Sequence, residues 1–203
     1  MRLAAMLIGS LSLVAACGGP AEAPDAGREP SVSAEPEPLD PTAPDEEKAA
    51  LAVCSPVTAA GYCGIAFGAS PADAIAKFPV KLEAYDGVEG TGQADPNRCY
   101  ELFAAEPVQG VSFMIENQKV GRVDFLTGGA KTADGFGVGS TAAEIKARFG
   151  AAAQDLPNKY EPEVTDLTVT QGAAKFVFEI QDGKVRGWRA GVAPTIDYTE
   201  HCG

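Results

Sequence analysis

One pattern of apolar and polar residues occurs twice along the chain. Residues 64–79 begin with a short alternating segment, turn at a glycine and continue with helical spacing, and residues 135–150 repeat this order. The alternating segments at 65–67 and 136–138 predict two short strands, because side chains of a strand alternate between its faces. The apolar residues that follow recur four positions apart, and this spacing predicts two helices.

Both predicted helices begin at a hydroxyl residue that is followed three positions later by an acidic residue. Ser70 precedes Asp73 in this way, and Thr141 precedes Glu144. The spacing is typical of a capping box, in which the hydroxyl accepts a hydrogen bond from the free backbone N–H groups of the first turn. Pro79 and Gly150 predict the ends of the two helices.

A second pair of matching segments predicts two β-hairpins. Residues 111–120 and 176–185 each contain alternating apolar residues, a polar pair and a second apolar run. Asp182-Gly183 is the stronger turn signal of the two pairs, since both residues accept the positive φ angles of a tight hairpin turn.

These elements predict an α+β fold built from two tandem strand–capped helix–antiparallel strand repeats. Repeat one spans about 64–125 and repeat two about 135–202, and the helices are expected to pack on one face of an antiparallel sheet. The Gly-x-Ser/Thr-helix-Gly segments resemble the tandem-repeat, helix-on-sheet folds of beta-lactamase inhibitor protein and of SmpA/OmlA (BamE) type lipoproteins. The resemblance implies that fold and offers inhibition or outer-membrane assembly as analogies for function.

The first 16 residues predict a secretory signal peptide. Arg2 precedes an apolar run to Ala16 that is shorter than the roughly 20 residues a membrane-spanning helix needs. Small residues then stand directly before Cys17, and this sequence resembles the lipobox of bacterial lipoproteins. The resemblance implies that Cys17 is the acceptor of acyl chains such as palmitate. Because the residue after Cys17 is Gly18 and not an aspartate, the resemblance also favours the periplasmic face of the outer membrane.

Residues 17–47 predict a disordered tether, and residues 48–203 a globular domain. Between 18 and 47 the chain has seven prolines and nine acidic residues against one basic residue, with few large apolar side chains. The whole chain carries a formal net charge of −12. A nucleic-acid partner is therefore not expected, because such proteins need basic side chains to neutralise phosphates.

Four cysteines remain after Cys17, an even number that suits disulfide bonds in an exported chain. Four cysteines allow three pairings, and the sequence alone does not choose among them. We expect Cys54–Cys63, which closes a short loop, and Cys99–Cys202, which ties the first repeat to the last strand.

The sequence contains no recognisable catalytic or metal-binding motif. His201 is the single histidine of the chain; it stands beside Cys202, where we expect it to face solvent. We therefore expect a non-enzyme without catalytic residues, metal or cofactor. The alternative is an envelope hydrolase in which two carboxylates converge in a cleft. The candidates for that pair are Asp124, Glu144, Asp166 and Glu179.

Trp188, Arg186 and Tyr160 are the candidate binding residues. A regular hairpin would pair Trp188 with Val177 and Arg186 with Glu179, and it would place the tryptophan on the more polar face. A bulge at Gly121 or Gly187 would instead turn Trp188 into the core, which is the arrangement we favour. Tyr160 lies in a predicted loop.

The sequence thus favours a non-catalytic lipoprotein that its N-terminal lipid anchors in the outer membrane. Its folded domain is expected to bind a periplasmic or envelope protein, or an envelope polymer. A purely structural spacer is the third possibility.

Overall fold

The computed structural model describes residues 45–85 and 99–202. The predicted signal peptide, Cys17 and the tether as far as residue 44 lie outside the described residues. Within the described ranges, every helix is too short or too polar to cross a membrane.

Three helices and ten strands follow one another in the described ranges. In chain order they are α1 (Asp45–Leu51), β1 (Gly61–Tyr62), β2 (Ile65–Ala66), α2 (Pro71–Lys77), β3 (Leu82–Tyr85), β4 (Tyr100–Ala104), β5 (Val111–Glu116), β6 (Lys119–Phe125), α3 (Ala142–Phe149), β7 (Ala153–Pro157), β8 (Thr165–Gln171), β9 (Ala174–Gln181) and β10 (Lys184–Val192). Two single 3₁₀ turns, Gly150–Ala152 and Thr195–Asp197, complete the list.

Eight strands form one antiparallel sheet in the order β3-β4-β5-β6-β10-β9-β8-β7. The first four and the last four strands meet where β6 pairs with β10, with Phe125 opposite Trp188. Strands β1 and β2 form a separate two-stranded sheet. The predicted α+β class with a large antiparallel sheet is confirmed.

Helices α2 and α3 begin where the sequence predicts. The Ser70 hydroxyl accepts from the backbone N–H of Asp73 at 3.1 Å. At α3 the Thr141 hydroxyl accepts from the N–H of Glu144 at 3.2 Å, and the Glu144 carboxylate accepts from the N–H of Thr141 at 2.8 Å. Each cap satisfies backbone donors that have no partner inside the helix.

The predicted strand at 136–138 is wrong. The backbone N–H of Phe136 donates to the Thr132 hydroxyl at 3.0 Å, and the N–H of Thr132 donates to the carbonyl of Phe136 at 2.8 Å. This local turn occupies the groups that a strand would offer to a neighbouring strand.

Both hairpins are confirmed, and each contains a bulge. The turn residues Asn117, Gln118, Asp182 and Gly183 have φ angles of 51°, 60°, 51° and 77°, as a type I′ turn requires. In the second hairpin the register shifts between Val185 and Gly187, so Arg186 has no opposite residue. In the first hairpin Gly121 occupies the corresponding position.

The bulge at Arg186 confirms the register that we favour over that of a regular hairpin. Trp188 lies opposite Phe178 instead of Val177, and Glu179 lies opposite Gly187 instead of Arg186. The extra residue turns Trp188 to the face that packs against the helices, where only 2% of it is exposed.

One face of the sheet, the core face, packs with the helices into the hydrophobic core. Ala74 of α2 and Ile145 of α3 are buried in the same cluster as Phe125 and Phe178. Trp188 stacks between these two phenylalanines, with ring centroids 4.3 and 5.7 Å away. Such ring pairs add to the stabilisation from burial of apolar area.

Helix α1 lies across the predicted end of the tether at residue 47. The helix begins at Asp45, and the Glu47 carboxyl is buried and accepts a hydrogen bond from the Thr127 hydroxyl. Leu51, one turn later, is buried in the core. Burial raises the pKa of Glu47, with the Thr127 hydrogen bond opposing the shift. In the acidic run at 45–47, Asp45 and Glu46 are thus exposed to solvent, whereas Glu47 is buried in the domain.

Both expected disulfides are confirmed. Cys54 pairs with Cys63 across 9 residues, and Cys99 pairs with Cys202 across 103 residues. The second bond fixes the end of the chain beside the start of β4.

Candidate functional site

The face of the sheet opposite the core face carries charged residues, and we call it the polar face. These side chains alternate with core residues along β4, β6, β8 and β10. The buried charged residues on this face are Glu101, Arg122, Asp124, Asp166 and Arg189. Buried charges are costly unless they are paired, so their partners define the chemistry of this face.

Arg122 is the centre of the first group of charges. Its Nε donates to Asp124 Oδ2 at 2.8 Å and its Nη2 to Asp124 Oδ1 at 2.7 Å. Its Nη1 donates to the backbone carbonyl of Tyr198 at 2.8 Å. Only 1% of Arg122 is exposed. A fork of this kind is the geometry in which arginine binds a carboxylate most strongly.

The carbonyl of Tyr198 belongs to residues 193–202, which cross the polar face after β10 and which we call the C-terminal strap. The Tyr198 hydroxyl donates to Glu116 at 3.0 Å, and the Cys99–Cys202 disulfide holds the far end of the strap. A Cβ atom at Gly121 would lie 2.3 Å from the Thr195 hydroxyl. The glycine at the bulge of β6 therefore makes room for the strap.

His201, in the same strap, contacts the buried carboxylate of Glu101. About half of the His201 side chain is exposed, whereas 5% of Glu101 is. The hydrogen bond to Glu101 raises the pKa of His201, against an opposing effect of burial, and the Asp124 charge adds to the rise. His201 is thus only partly the solvent-facing residue that the sequence predicts.

Arg189 joins two of the four carboxylates that the hydrolase alternative names. It donates to Glu179 at 3.1 Å and to Asp166 at 3.4 Å. Asp166 and Glu179 are opposite each other on β8 and β9. Glu144 instead caps α3, and Asp124 pairs with Arg122. Asp166 and Glu179 share one arginine, whereas a general acid and its partner carboxylate need environments that differ.

Arg186 binds the loop that contains Tyr160 at one end of the polar face. Arg186 donates to both oxygens of Glu161, the residue after Tyr160, and it lies 3.2 Å from Glu179. The hydrogen bonds from Arg186 lower the pKa of Glu161. Tyr160 is 54% exposed, and the Lys159 ammonium lies 4.8 Å from the centre of its ring.

Leu156, at the edge of the sheet, extends this area. It is 49% exposed and lies opposite Asp166, hence on the polar face. We call the group Leu156, Lys159, Tyr160, Glu161 and Arg186 the Tyr160 patch. Trp188, the third candidate binding residue, lies on the other side of the sheet in the core, which is the arrangement that we favour from the sequence.

Two cavities lie beside the strap. One of about 470 Å³ is lined by Glu116, Tyr198 and His201, among others. The other, of about 200 Å³, is lined by Leu156, Asp166 and Arg189, among others. Lys159, Asp197 and Thr199 line both cavities. The Tyr160 patch therefore continues into the recesses along the strap.

The sequence does not predict that Glu101, Asp124 and His201 lie close together. Glu101 and His201 are 100 residues apart, and no local motif relates them. The available signal is the disulfide at Cys99–Cys202, since each cysteine stands within two residues of one member of the pair.

No family model matches the sequence, and the comparison with curated proteins finds no match. Two solved structures are similar. An extracellular protein with an SCP domain from Bacillus anthracis has 10% identity and a TM-score of 0.44, and the match covers 63% of this chain and 44% of that one. A DUF4309 family protein from Bacillus subtilis has 11% identity and a TM-score of 0.40, with coverage of 73% and 94%. The chain thus spans less than half the length of the first of these proteins, and neither similarity assigns it to a family.

Proposed function

We propose that this chain is a lipid-anchored lipoprotein of the cell envelope whose folded domain binds a protein or an envelope polymer without catalysing a reaction. Cys17 carries the lipid, and residues 18–44 connect it to the domain that begins at α1. The signal peptide and the lipobox-like residues before Cys17 support the anchor. Stable anchoring by lipid takes two or more acyl chains, as in the lipoproteins that this N-terminus resembles. The outer membrane is the proposed location.

The observation that carries the binding role is the Tyr160 patch. Tyrosine and arginine are enriched among the residues that dominate binding energy in protein interfaces. Here a half-exposed tyrosine directly precedes Glu161, and Glu161 and Glu179 together hold Arg186 in place. Because Arg186 is fixed before a partner arrives, less side-chain entropy is lost on binding.

The same patch favours a binding domain over a purely structural spacer. A spacer has no need to expose two large apolar side chains, Leu156 and Tyr160, four positions apart in the chain. Catalysis by the Asp166–Glu179 pair is disfavoured because both carboxylates accept from Arg189. The two carboxylates therefore share one partner, whereas a general acid and its partner carboxylate need environments that differ.

The proposal includes a tandem repeat, which we attribute to duplication of an ancestral unit. Helix α2 precedes strands β3–β6, and helix α3 precedes strands β7–β10. The two bulges fall at corresponding positions of their hairpins, and Val123 and Trp188, which correspond at the offset of 65 residues, are both buried. We propose that an ancestral helix and four strands were duplicated and joined at β6 and β10.

The anchor is tested on the chain isolated from its native cells. We expect the N-terminal peptide to begin at Cys17 and to carry diacylglycerol in the mass spectrum. The Cys17→Ser variant should move from the membrane fraction to the soluble fraction. A free Cys17 thiol in the native product, or the same fractionation for both chains, would contradict the anchor.

A further inference from the structure

Three side chains that bind metals well meet on the polar face under the C-terminal strap. Ligand atoms of Glu101, Asp124 and His201 all lie within 4.8 Å of one another. Glu101 and Asp124 are 5% and 7% exposed. These carboxylates are therefore not part of a solvated acidic surface, and the group includes an imidazole, which is a better ligand for transition metals than for Mg²⁺ or Ca²⁺.

Covalent and hydrogen bonds fix the three groups before any ion binds. Cys202, next to His201, is bonded to Cys99, two residues before Glu101. The fork from Arg122 orients the Asp124 carboxylate. Hydrogen bonds of this kind are common behind metal ligands, and each carboxylate oxygen has two lone pairs, so Asp124 keeps the capacity to bind an ion.

The charge of the group favours a cation. Two carboxylates face one guanidinium, so with a neutral imidazole the group has an excess of one negative charge.

The site also has access to solvent. His201 lines the cavity of about 470 Å³ beside the strap. An ion held by three protein ligands there could complete its coordination with water, as zinc does in sites that keep one open position.

We infer that Glu101, Asp124 and His201 bind a zinc ion at the junction of the strap and the sheet. One nitrogen and two carboxylate oxygens, with water as a further ligand, form a donor set that suits Zn²⁺. The site would join the strap to β4 and β6 in addition to the disulfide. This inference does not depend on a partner at the Tyr160 patch.

Titration of the full, disulfide-bonded chain with zinc chloride in a calorimeter tests the site. We expect one zinc ion per chain in the wild type and about 100-fold weaker binding in His201→Ala, with Glu101→Gln weakened at least about tenfold. Glu200→Gln is the matched control, since Glu200 neighbours His201 but pairs with Lys159 at 3.3 Å. It should bind zinc as the wild type does. Every chain in this comparison carries Cys17→Ser, so no free thiol competes for zinc, and the acidic residues of the tether are the same in all.

Cobalt(II) chloride provides a second measurement that reports the ligands directly. We expect a visible absorption band in the wild type that is lost in His201→Ala, with circular dichroism unchanged. Equal zinc affinity in the wild type and His201→Ala would overturn the inference, as would absence of zinc binding to the wild type. Magnesium chloride binding as tightly as zinc would also overturn it, because such a site would not need the imidazole.

Discussion

Replacement of Arg122 with methionine is expected to lower the free energy of unfolding by about 3–5 kcal/mol, as for other broken buried ion pairs. The change leaves the Asp124 carboxylate buried without its guanidinium and removes the donor to the carbonyl of Tyr198. Urea denaturation followed by circular dichroism measures the loss, since the midpoint shifts while the slope stays the same.

A double variant separates the cost of the unpaired charge from the loss of packing. In Arg122→Met/Asp124→Leu no charge of the pair stays buried, and we expect a large part of the lost stability to return. Arg148→Met is the control, because the Arg148–Asp134 pair is largely exposed on the arginine side and should contribute about 0–1 kcal/mol. Similar losses in Arg122→Met and Arg148→Met would contradict the buried network.

The double variant Cys99→Ser/Cys202→Ser is expected to lose about 4.7 kcal/mol by the chain-entropy estimate for a loop of this length. The bond closes a loop between residues 103 positions apart, so its removal greatly increases the freedom of the unfolded chain. It also releases the strap, and with it His201, from β4. Urea denaturation under oxidising conditions measures this change.

The other disulfide provides a matched control within the same chain. Cys54→Ser/Cys63→Ser opens a loop with a separation of 9 and should cost about 2.7 kcal/mol on the same estimate. The order of the two losses is the informative result. A larger loss for Cys54→Ser/Cys63→Ser would show that loop length does not govern the contribution of these bonds.

Local patterns in the sequence predict the elements that local interactions determine. The caps at Ser70 and Thr141 and the turn at Asp182-Gly183 depend on residues within four positions of one another. The two disulfides also agree with expectation, since the short loop and the long one suit a single domain. The coarse fold could therefore be predicted from the sequence.

Features that depend on tertiary packing could not be predicted in the same way. The acidic run at 45–47 has the composition of the tether, whereas the burial of Glu47 depends on tertiary contacts such as the hydrogen bond from Thr127, 80 residues away. The bulge at Arg186 could be suspected from Gly187, but the packing of Trp188 against Phe125 decides the register. The residues of the candidate site come from both halves of the chain and from the strap, so no single motif contains them.

Site-specific photo-cross-linking in the native cells tests the binding role of the polar face most directly. A benzophenone amino acid at Tyr160 replaces one exposed ring with another, and the same probe at Ile75 of α2 is the control, since Ile75 is 52% exposed but lies outside the Tyr160 patch. We expect a cross-linked product from position 160 and none from position 75. A product of defined mass would identify a protein partner, and a product of heterogeneous mass would identify an envelope polymer. Equal products from both positions, or no product from position 160, would contradict the proposed surface.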